Sequence, residues 1–531
     1  MTTASTSAAD GTAAVPSAER TVSLRDRFGY LAMVVGLFMA VLDIQIVASS
    51  LRDIQAGVSA TVDEISWIQT SYLIAEVVII PISGWLTTAL STRWLYVGST
   101  LGFTVFSAAC AFSWNIDSLI IFRALQGLFA GALIPTTFAA IYRIFPPEKQ
   151  TGATIVAGLV ATIAPTLGPT LGGWITQAAS WHWLFLINIV PGILVVLAVG
   201  AFVRFDRPQF SLFRRMDVAG IVLMAIFLGT MEYVLEEGPG EDWFASQEIL
   251  LLTVLMVVSA ALFFWREFTT SDPVVDLRAF RNLNFSLGCC YSFILGVGLF
   301  GSIYLMPLFL GQVRDFNSLQ IGQIMIVMGA FQFLSGAAAG FLEKRMDPRW
   351  MLATGLCLFS LGLFLNGDLT SEWGFDELFW PQAVRGFALM LCFLPVTAVA
   401  LGRLPIEEIN NASGLYNLTR NLGGAIGLAV INTTFNNRVD MHYVRLAETL
   451  STGQADRQAL LARLAAALRD HFPDAAQAEL AAQKILQLLA QRETMIMAYN
   501  DLFYIVAGIF AASLLLIPLL SKVQGNVGAA H

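Results

Sequence analysis

Residues 164–173 read Ala-Pro-Thr-Leu-Gly-Pro-Thr-Leu-Gly-Gly, and they lie within a block at 151–178 that contains no charged residue. Each of the two prolines removes a backbone hydrogen bond and bends a helix, and the glycines let a neighbouring helix approach closely. A lipid-crossing helix tolerates this sequence where adjacent helices satisfy the freed backbone groups. The stretch therefore predicts a bent helix packed inside a bundle of membrane-spanning helices.

The rest of the chain has the composition of a membrane protein. Of its 531 residues, 56% are hydrophobic and only 13% are charged, whereas soluble domains carry about 25% charged residues. The net charge of −8 implies no nucleic-acid partner. Apolar blocks of about 20 residues, the length that crosses a bilayer as a helix, predict fourteen spans: 29–51, 66–90, 94–113, 118–142, 151–178, 183–203, 217–235, 249–268, 284–310, 320–341, 350–367, 377–401, 413–436 and 498–520.

The spans predict an all-α integral membrane protein with two six-helix bundles, at 28–203 and 284–520, separated by an inserted helix pair at 204–283. Residues 1–27 and 521–531 are predicted tails. The segment 437–497, rich in Ala, Leu, Gln and Arg, is predicted to form a periplasmic helical hairpin outside the membrane, as part of the second bundle.

The loop charges predict the orientation of the chain. Apart from the long 437–497 segment, the predicted outer loops carry only Arg52 and Arg314 as basic residues, and they carry acids such as Glu236 and Glu237 after span 7. The positive-inside rule then places both termini in the cytoplasm, and we expect the chain to lie in a bacterial inner membrane.

Three ionisable residues lie at membrane depth in the first bundle: Asp43 in span 1, Glu76 in span 2 and Arg123 in span 4. Each costs about 2.5–3.5 kcal/mol to insert, so each needs a reason. A carboxylate that alternates between a desolvated site and a guanidinium can bind and release a proton, and we expect these residues to couple transport to protons. Two alternatives stay open: a permanent Asp43–Arg123 ion pair that locks two spans, and a Glu76 that only bonds a neighbouring helix.

The proline- and glycine-rich stretch resembles the antiporter motif of the major facilitator superfamily. The matching residues are Gly168, Pro169, Gly172 and Gly173, with Pro165 one turn earlier. Within the superfamily, the chain resembles the fourteen-helix drug:proton antiporters of the EmrB/QacA type from about Phe28 to Leu520. The resemblance implies the major facilitator fold and export rather than uptake.

Further motifs carry the same resemblance. Arg123 with Gln126-Gly127 resembles the span 4 motif whose arginine is implicated in proton coupling, and Leu42-Asp43 resembles the acidic motif of span 1. The stretches 181–188 and 276–282 resemble loop signatures of the fourteen-helix group. Arg385-Gly386 in span 12 echoes Gln126-Gly127, as expected of parallel repeats.

The chain also departs from the family pattern. The loop between spans 2 and 3 has Thr88 where the superfamily motif has aspartate, and Gln45 and residues 48–50 differ from the usual residues that follow the acid of span 1. The first difference weakens the expected charge-based gate, and the second leaves the substrate class open.

The resemblance implies a multidrug efflux transporter that exports lipophilic or amphipathic compounds in exchange for protons, with no enzymatic activity, metal or cofactor. It also implies assembly with a periplasmic adaptor and an outer-membrane channel. From their positions in the spans, we expect a substrate cavity between the bundles to be lined by Tyr72, Glu76, Tyr291, Tyr304, Phe309, Gln312 and Gln332.

Three other functions would also fit an apolar chain of this kind. A proton-coupled uptake symporter fits the spans but not the antiporter motif. A lipid-modifying membrane enzyme lacks support, because the four histidines have no metal-ligand spacing and no Gly-x-Ser-x-Gly or His-Glu-x-x-His arrangement occurs. A structural or sensory membrane protein gives no reason for the buried charges.

Overall fold

The computed structural model describes residues 22–48, 50–61, 64–270, 273–343, 345–402, 404–452, 454–468 and 474–520. These residues form α-helices and short 3-10 helices, and none of them lies in a β-strand. Most of the predicted tail 1–27 and all of the predicted tail 521–531 lie outside the described residues.

The first bundle is built from α1 to α9. Helix α1 packs against α7 and α9, and α5 packs between α3 and α4. The bounds are α1 (Leu24–Ala48), α2 (Leu51–Val58), α3 (Trp67–Leu90), α4 (Thr92–Ala111), α5 (Ile116–Ala130), α6 (Leu133–Ile144), α7 (Pro147–Ala178), α8 (Trp183–Leu186) and α9 (Ile189–Phe202).

The inserted pair and the second bundle follow. Helices α10 (Val218–Glu237) and α11 (Gln247–Thr269) pack on each other, and α10 also packs on α3 and α16. The second bundle consists of α12 (Leu283–Gln312), α13 (Ser318–Glu343), α14 (Pro348–Phe364), α15 (Phe375–Leu401), α16 (Ile409–Thr452), α17 (Gln454–Leu468) and α18 (Ala475–Ser513). The two bundles meet where α7 packs on α13 and where α3 packs on α16.

Thirteen helices of the described residues are long and apolar enough to cross a membrane, which makes the chain a multi-pass membrane protein. The fourteenth predicted span, 413–436, lies within α16, which does not reach the same hydropathy. Its apolar residues are interspersed with Asn417, Arg420 and Asn421. These polar groups avoid lipid because α16 packs along α12 and α3.

Two of the spanning segments are broken. Span 4 divides into α5 and α6 at Gly131–Ala132, just before Pro135, whose ring and missing N–H disrupt a continuous helix. Span 6 divides into α8 and α9 at Ile187–Asn188. Neither break was expected from the sequence, and the second one carries a polar side chain into the bundle.

In the segment 437–497, which is expected to form a helical hairpin outside the membrane, almost all of the described residues are helical, and two of the helices continue into the second bundle. Helix α16 continues out of the bundle as far as Thr452, and α18 begins at Ala475 and runs back through the bundle to Ser513. Helix α17 packs mainly on α18. Between the long helices, Asp501 accepts from His442 at 2.9 Å and pairs with Arg438 at 3.3 Å. Pro473, the expected break point, lies outside the described residues.

The bundle has two chemically different ends. We call the end where α1 begins the basic end, because Arg25, Arg207 and Arg214 lie there. The opposite end, where α10 finishes, is called the acidic end and carries Glu237 and Glu241. The long parts of α16 and α18 extend beyond the acidic end.

Candidate functional site

A buried carboxylate lies at the centre of the first bundle. Asp43 of α1 is fully buried, and three side-chain donors surround it. Its Oδ2 atom lies 2.5 Å from Nη1 of Arg123. Its Oδ1 atom accepts hydrogen bonds from the amides of Gln126 at 3.0 Å and Asn188 at 2.7 Å. Because these donors come from α5 and from the break between α8 and α9, the carboxylate joins three parts of the bundle.

The guanidinium that pairs with Asp43 is itself held on several sides. Arg123 Nε donates to the carbonyl oxygen of Ile68 in α3 at 3.1 Å, and Nη1 also donates to Gln126 Oε1 at 2.9 Å. The guanidinium lies 4.2 Å from the centre of the Tyr72 ring, and Nη2 has no hydrogen-bond partner among the described residues. If Asp43 lost its charge, the buried Arg123 would have no counter-ion, and this conformation would be destabilised.

Two local features of the sequence build this arrangement. Gly127 lies where α5 crosses α3, and a Cβ there would overlap the carbonyl of Tyr72, so only glycine allows the crossing that brings Arg123 onto the Tyr72 ring. The break at Asn188 turns its amide inward, where it donates to Asp43 and, at 3.1 Å, to Ser107 Oγ.

A cavity lies beside the Asp43–Arg123 pair and between the two bundles. It is lined by Gln45, Gln69, Glu76, Glu232, Glu236, Arg420, Asn421 and apolar residues of α1, α3, α7, α12 and α16. Its free volume is about 90 Å³. That is room for several water molecules but below the roughly 300 Å³ at the lower end of drug-sized sites. The conformation shown is therefore a constricted one.

Two buried charged groups in the cavity wall lack partners for part of their polar atoms. Glu76 is 3% exposed and Arg420 is 5% exposed. Glu76 Oε1 and Arg420 Nη1 have no hydrogen-bond partner among the described residues, whereas Arg420 Nη2 donates to Asn417 Oδ1 at 2.6 Å. Unpaired buried polar atoms that line a cavity are the groups expected to meet water, a proton or a ligand.

The structure brings together only some of the predicted site residues. Glu76 lines the cavity, and Asp43 and Arg123 form the pair beside it, but six residues predicted to bind substrate are absent from the cavity lining. The ring of Tyr72 packs against Arg123, and the side chain of Tyr304 is 36% exposed. Tyr499 packs on Phe309 and donates a hydrogen bond to Gln312. Tyr291 donates to the carbonyl oxygen of Ser513, and Gln332 donates to Thr162 Oγ1. Position along a span did not identify which face of each helix points to the cavity.

The antiporter motif shapes the wall where α7 meets α1. Pro165 lines the cavity, and a Cβ at Gly168 would overlap the side chain of Gln45, which also lines it. Gly172 and Gly173 are buried, and Pro169 lies between them and Gly168 in the same helix. The motif therefore brings the helix that carries Asp43 close to α7.

The two bundles are joined by hydrogen bonds toward the basic end. Asn410 of α16 donates to Thr88 Oγ1 at 3.3 Å, and Ser413 Oγ donates to the carbonyl of Pro135 at 2.7 Å. Thr88, which stands where the superfamily motif has aspartate, thus makes a neutral contact across the interface. The cavity, by contrast, extends toward Gln69 and Glu236 at the acidic end.

Sequence reasoning missed several groups of this site. In the sequence, Asn188 belongs to a stretch that resembles a loop signature, and no role is predicted for Arg420. Glu236 was placed in an outer loop, but it belongs to the last turn of α10 and lines the cavity together with Glu232. The available signal is the four-residue spacing of Glu232 and Glu236 in a largely apolar helix, which puts both carboxylates on one face.

Comparison with known proteins agrees with this architecture. Residues 33–428 match the Major Facilitator Superfamily model. The chain is 42% identical over 422 residues to the colistin resistance protein EmrB of Acinetobacter baumannii, covering 80% of this chain and 82% of that protein. It is 31% identical over 509 residues to the multidrug export protein EmrB of Escherichia coli, covering 94% of this chain and 97% of that protein.

The fold is also found among solved structures. The proton:xylose symporter XylE superposes with a TM-score of 0.60 at 11% identity, covering 95% of this chain and 98% of the symporter. At this level of identity the likeness concerns the fold alone.

Proposed function

The chain belongs to the major facilitator superfamily and is a transporter rather than an enzyme, and from this premise we propose that it is a multidrug efflux transporter. In this proposal it exports lipophilic or amphipathic compounds in exchange for protons. The names of the Acinetobacter and Escherichia relatives support drug export. The single observation that carries the coupling is the fully buried Asp43, which holds Arg123 at 2.5 Å beside the central cavity.

The geometry suggests how a proton would do work. An ionised Asp43 attracts Arg123 and accepts from two amides, and these contacts hold α1 against α5 and against the α8–α9 break. A proton on Asp43 removes the charge attraction to Arg123, and it converts the charge-assisted hydrogen bonds from the amides of Gln126 and Asn188 into weaker neutral ones. The helices then separate more easily, so the protonation state of one carboxyl biases the bundle between two arrangements.

The energy source in this proposal is the proton gradient, with no cofactor. One proton entering down about 100 mV releases roughly 2.3 kcal/mol, and one pH unit adds roughly 1.4 kcal/mol. The sum, about 3.7 kcal/mol, can hold a neutral compound at a gradient of several hundredfold.

We further propose that the basic end faces the cytoplasm of a bacterial inner membrane, because the positive-inside rule favours it. In this orientation the hydrogen bonds of Asn410 and Ser413 close the cytoplasmic side, and the cavity extends toward the periplasm. The cavity must widen before it accepts a drug-sized compound, which fits a conformation that has already released its substrate.

The proposal includes a periplasmic adaptor and an outer-membrane channel as partners. We expect the adaptor to bind the helices that extend beyond the acidic end, because they expose apolar side chains there. These are Val444 of α16 and Leu480 and Leu488 of α18. Photocrosslinkers placed at Leu480 should capture an adaptor in cells. Crosslinking only from lipid-facing control positions such as Val254 would contradict this part of the proposal.

Efflux from cells tests the proposed function directly. Cells that express the protein should expel a fluorescent lipophilic compound faster than cells without it, and a protonophore should stop the difference. The rival function, proton-coupled uptake, predicts the opposite: expression raises accumulation, and the protonophore lowers it. That second result would overturn the proposal.

A further inference from the structure

The inserted helix pair contributes acids to the central cavity. Glu232 and Glu236 lie one turn apart on α10, and both line the cavity together with Glu76 of α3. Helix α10 belongs to neither six-helix bundle, yet it packs on α3 and α16, one helix from each. The two carboxylates of α10 that line the cavity therefore need an explanation, because a charge at membrane depth costs about 2.5–3.5 kcal/mol.

The carboxylates become progressively less accessible from the acidic end inward. Glu236 is exposed, Glu232 is 6% exposed, Glu76 is 3% exposed and Asp43 is fully buried. At the acidic end, the next residue of α10, Glu237, accepts a hydrogen bond from Thr70 of α3 at 3.5 Å. The acids thus descend beside α3 from solvent toward the Asp43–Arg123 pair.

Packing fixes this alignment of α10 against α3. The rings of Tyr233 and Trp67 lie 5.1 Å apart, and the Tyr233 hydroxyl donates to Glu248 of α11 at 2.8 Å. The tyrosine is anchored on the side toward α11, and its neighbour Glu232 lines the cavity.

The charges around these acids form a continuous series. Glu232 interacts electrostatically with Glu236 and Glu76, and Glu76 in turn interacts with Asp43, Arg123 and Arg420. Arg420 of α16 is the basic group in the cavity lining, and Glu248 of α11 faces Tyr233 rather than the cavity. The Oε1 atom of the buried Glu76 has no hydrogen-bond partner among the described residues. It is therefore available to bind a proton or a water molecule of the cavity.

We propose that Glu236 and Glu232 form a proton entry route from the acidic end to Glu76 and then to Asp43. The proposal rests on the proposed function as a proton-driven exporter and assigns the inserted pair a part in it. A proton taken from water by Glu236 passes to Glu232 and Glu76 through water in the cavity, which has room for several molecules. When it reaches Asp43, the carboxyl loses its charge and its attraction to Arg123.

The experiment uses full-length protein in liposomes with an imposed pH gradient. The variants are Glu232→Gln, Glu236→Gln and both together, with Glu241→Gln, an exposed loop acid outside the cavity lining, as the matched control. We measure gradient-driven transport, exchange of labelled for unlabelled substrate without a gradient, and the Kd of a neutral compound and of a lipophilic cation.

We expect Glu232→Gln and the double variant to slow gradient-driven transport at least tenfold while exchange and both Kd values stay within twofold of wild type. Glu232→Asp, which keeps the carboxyl group, should recover most of the rate, and Glu241→Gln should match wild type. A variant that fails to fold is recognised because it loses both substrate exchange and substrate binding. In that case the gradient-driven rates of Glu232→Asp and Glu236→Gln test the route.

Two results would overturn the route. The double variant could keep the rate and pH dependence of wild type, or Glu232→Gln could weaken the Kd of the lipophilic cation tenfold while a neutral compound is still driven normally. The second result would make these acids a cation-binding site. A wild-type protein that does not respond to the gradient at all would instead reject the proposed function.

Discussion

Two glutamine–arginine pairs occupy matching positions of the two bundles, but their surroundings differ. Helix α5 carries Arg123, Gln126 and Gly127, and α15 carries Gln382, Arg385 and Gly386 at the same spacing with arginine and glutamine exchanged. Both arginines are fully buried. Arg123 has a carboxylate at 2.5 Å, whereas Arg385 forms no ion pair among the described residues and donates to the sulfur of Met328 at 3.5 Å.

The comparison distinguishes residues that serve helix packing from residues that serve proton coupling. The glycine crossing is kept in both bundles, because a Cβ at Gly127 would overlap Tyr72 O and a Cβ at Gly386 would overlap Met328 O. Among the described residues, only the arginine of the first of these two motifs has a carboxylate partner. The repeated element therefore supplies close packing, and Asp43 makes the first bundle the site of proton coupling in our account.

The largest expected difference concerns removal of each guanidinium. Arg123→Met leaves Asp43 buried without its cation and should lower the free energy of unfolding by about 3–5 kcal/mol. Arg385→Met removes a buried charge that has no counter-ion among the described residues, so it should be neutral or stabilising by about 1–4 kcal/mol. Thermal unfolding of both variants in the same detergent measures the contrast.

Equal losses in these two variants would show that Arg385 has an electrostatic partner as important as Asp43. Arg123→Lys is a useful control, since it keeps the charge but loses the fork that reaches Asp43, Gln126 and Ile68 together. Its loss of stability should fall between wild type and Arg123→Met.

A smaller contrast separates two buried asparagines. Asn188→Ala removes a hydrogen bond to the Asp43 carboxylate and should cost about 1.5–3 kcal/mol. Asn366, which follows α14, is fully buried, and its amide has no hydrogen-bond partner among the described residues. Asn366→Ala should therefore cost less than about 1 kcal/mol. Denaturation midpoints and efflux rates of the two variants provide the measurement, and an efflux loss confined to Asn366→Ala would contradict the comparison.

The smallest difference in stability is expected between substitutions of Gly127 and Gly386. Gly127→Ala and Gly386→Ala should each destabilise the protein by about 1–3 kcal/mol, because both add a methyl group where two helix backbones meet. Gly98→Ala, where a Cβ meets no atom within 4 Å, should gain up to about 1 kcal/mol from helix propensity. Thermal unfolding of all three variants tests this symmetry, and a loss for only one of the crossing glycines would refute it.

Much of the fold could be predicted because hydropathy and loop charge are local properties of the sequence. Asp43 and Arg123 could be named for the same reason, since a charge inside an apolar span is conspicuous. The role of Asn188 is harder to predict, because it depends on a break in span 6. Pro191, four residues after Ile187, is the sequence feature that marks this break, as Pro135 marks the break in span 4. Likewise, α16 was recognised as a span, but its continuation to Thr452 depends on packing against α18.

The cavity wall was the least predictable part. Tyr291, Phe309 and Gln332 lie in the right helices but face other neighbours, because a helix rotated by one residue turns by about 100° and presents a different face. Glu232 and Arg420 line the cavity because α10 and α16 both pack on α3. Those contacts join segments far apart in the sequence, and no single span encodes them.

The most direct test of the account is the response of Asp43→Asn to a pH gradient in liposomes. Wild-type protein should move a labelled lipophilic compound against its gradient when the opposite compartment is acidified. Asp43→Asn should lose at least nine-tenths of that response while still exchanging substrate, and Asp53→Asn, an exposed acid on α2, should behave as wild type. Transport by Asp43→Asn that follows the pH gradient as the wild type does would contradict the claim that this carboxyl couples the two flows.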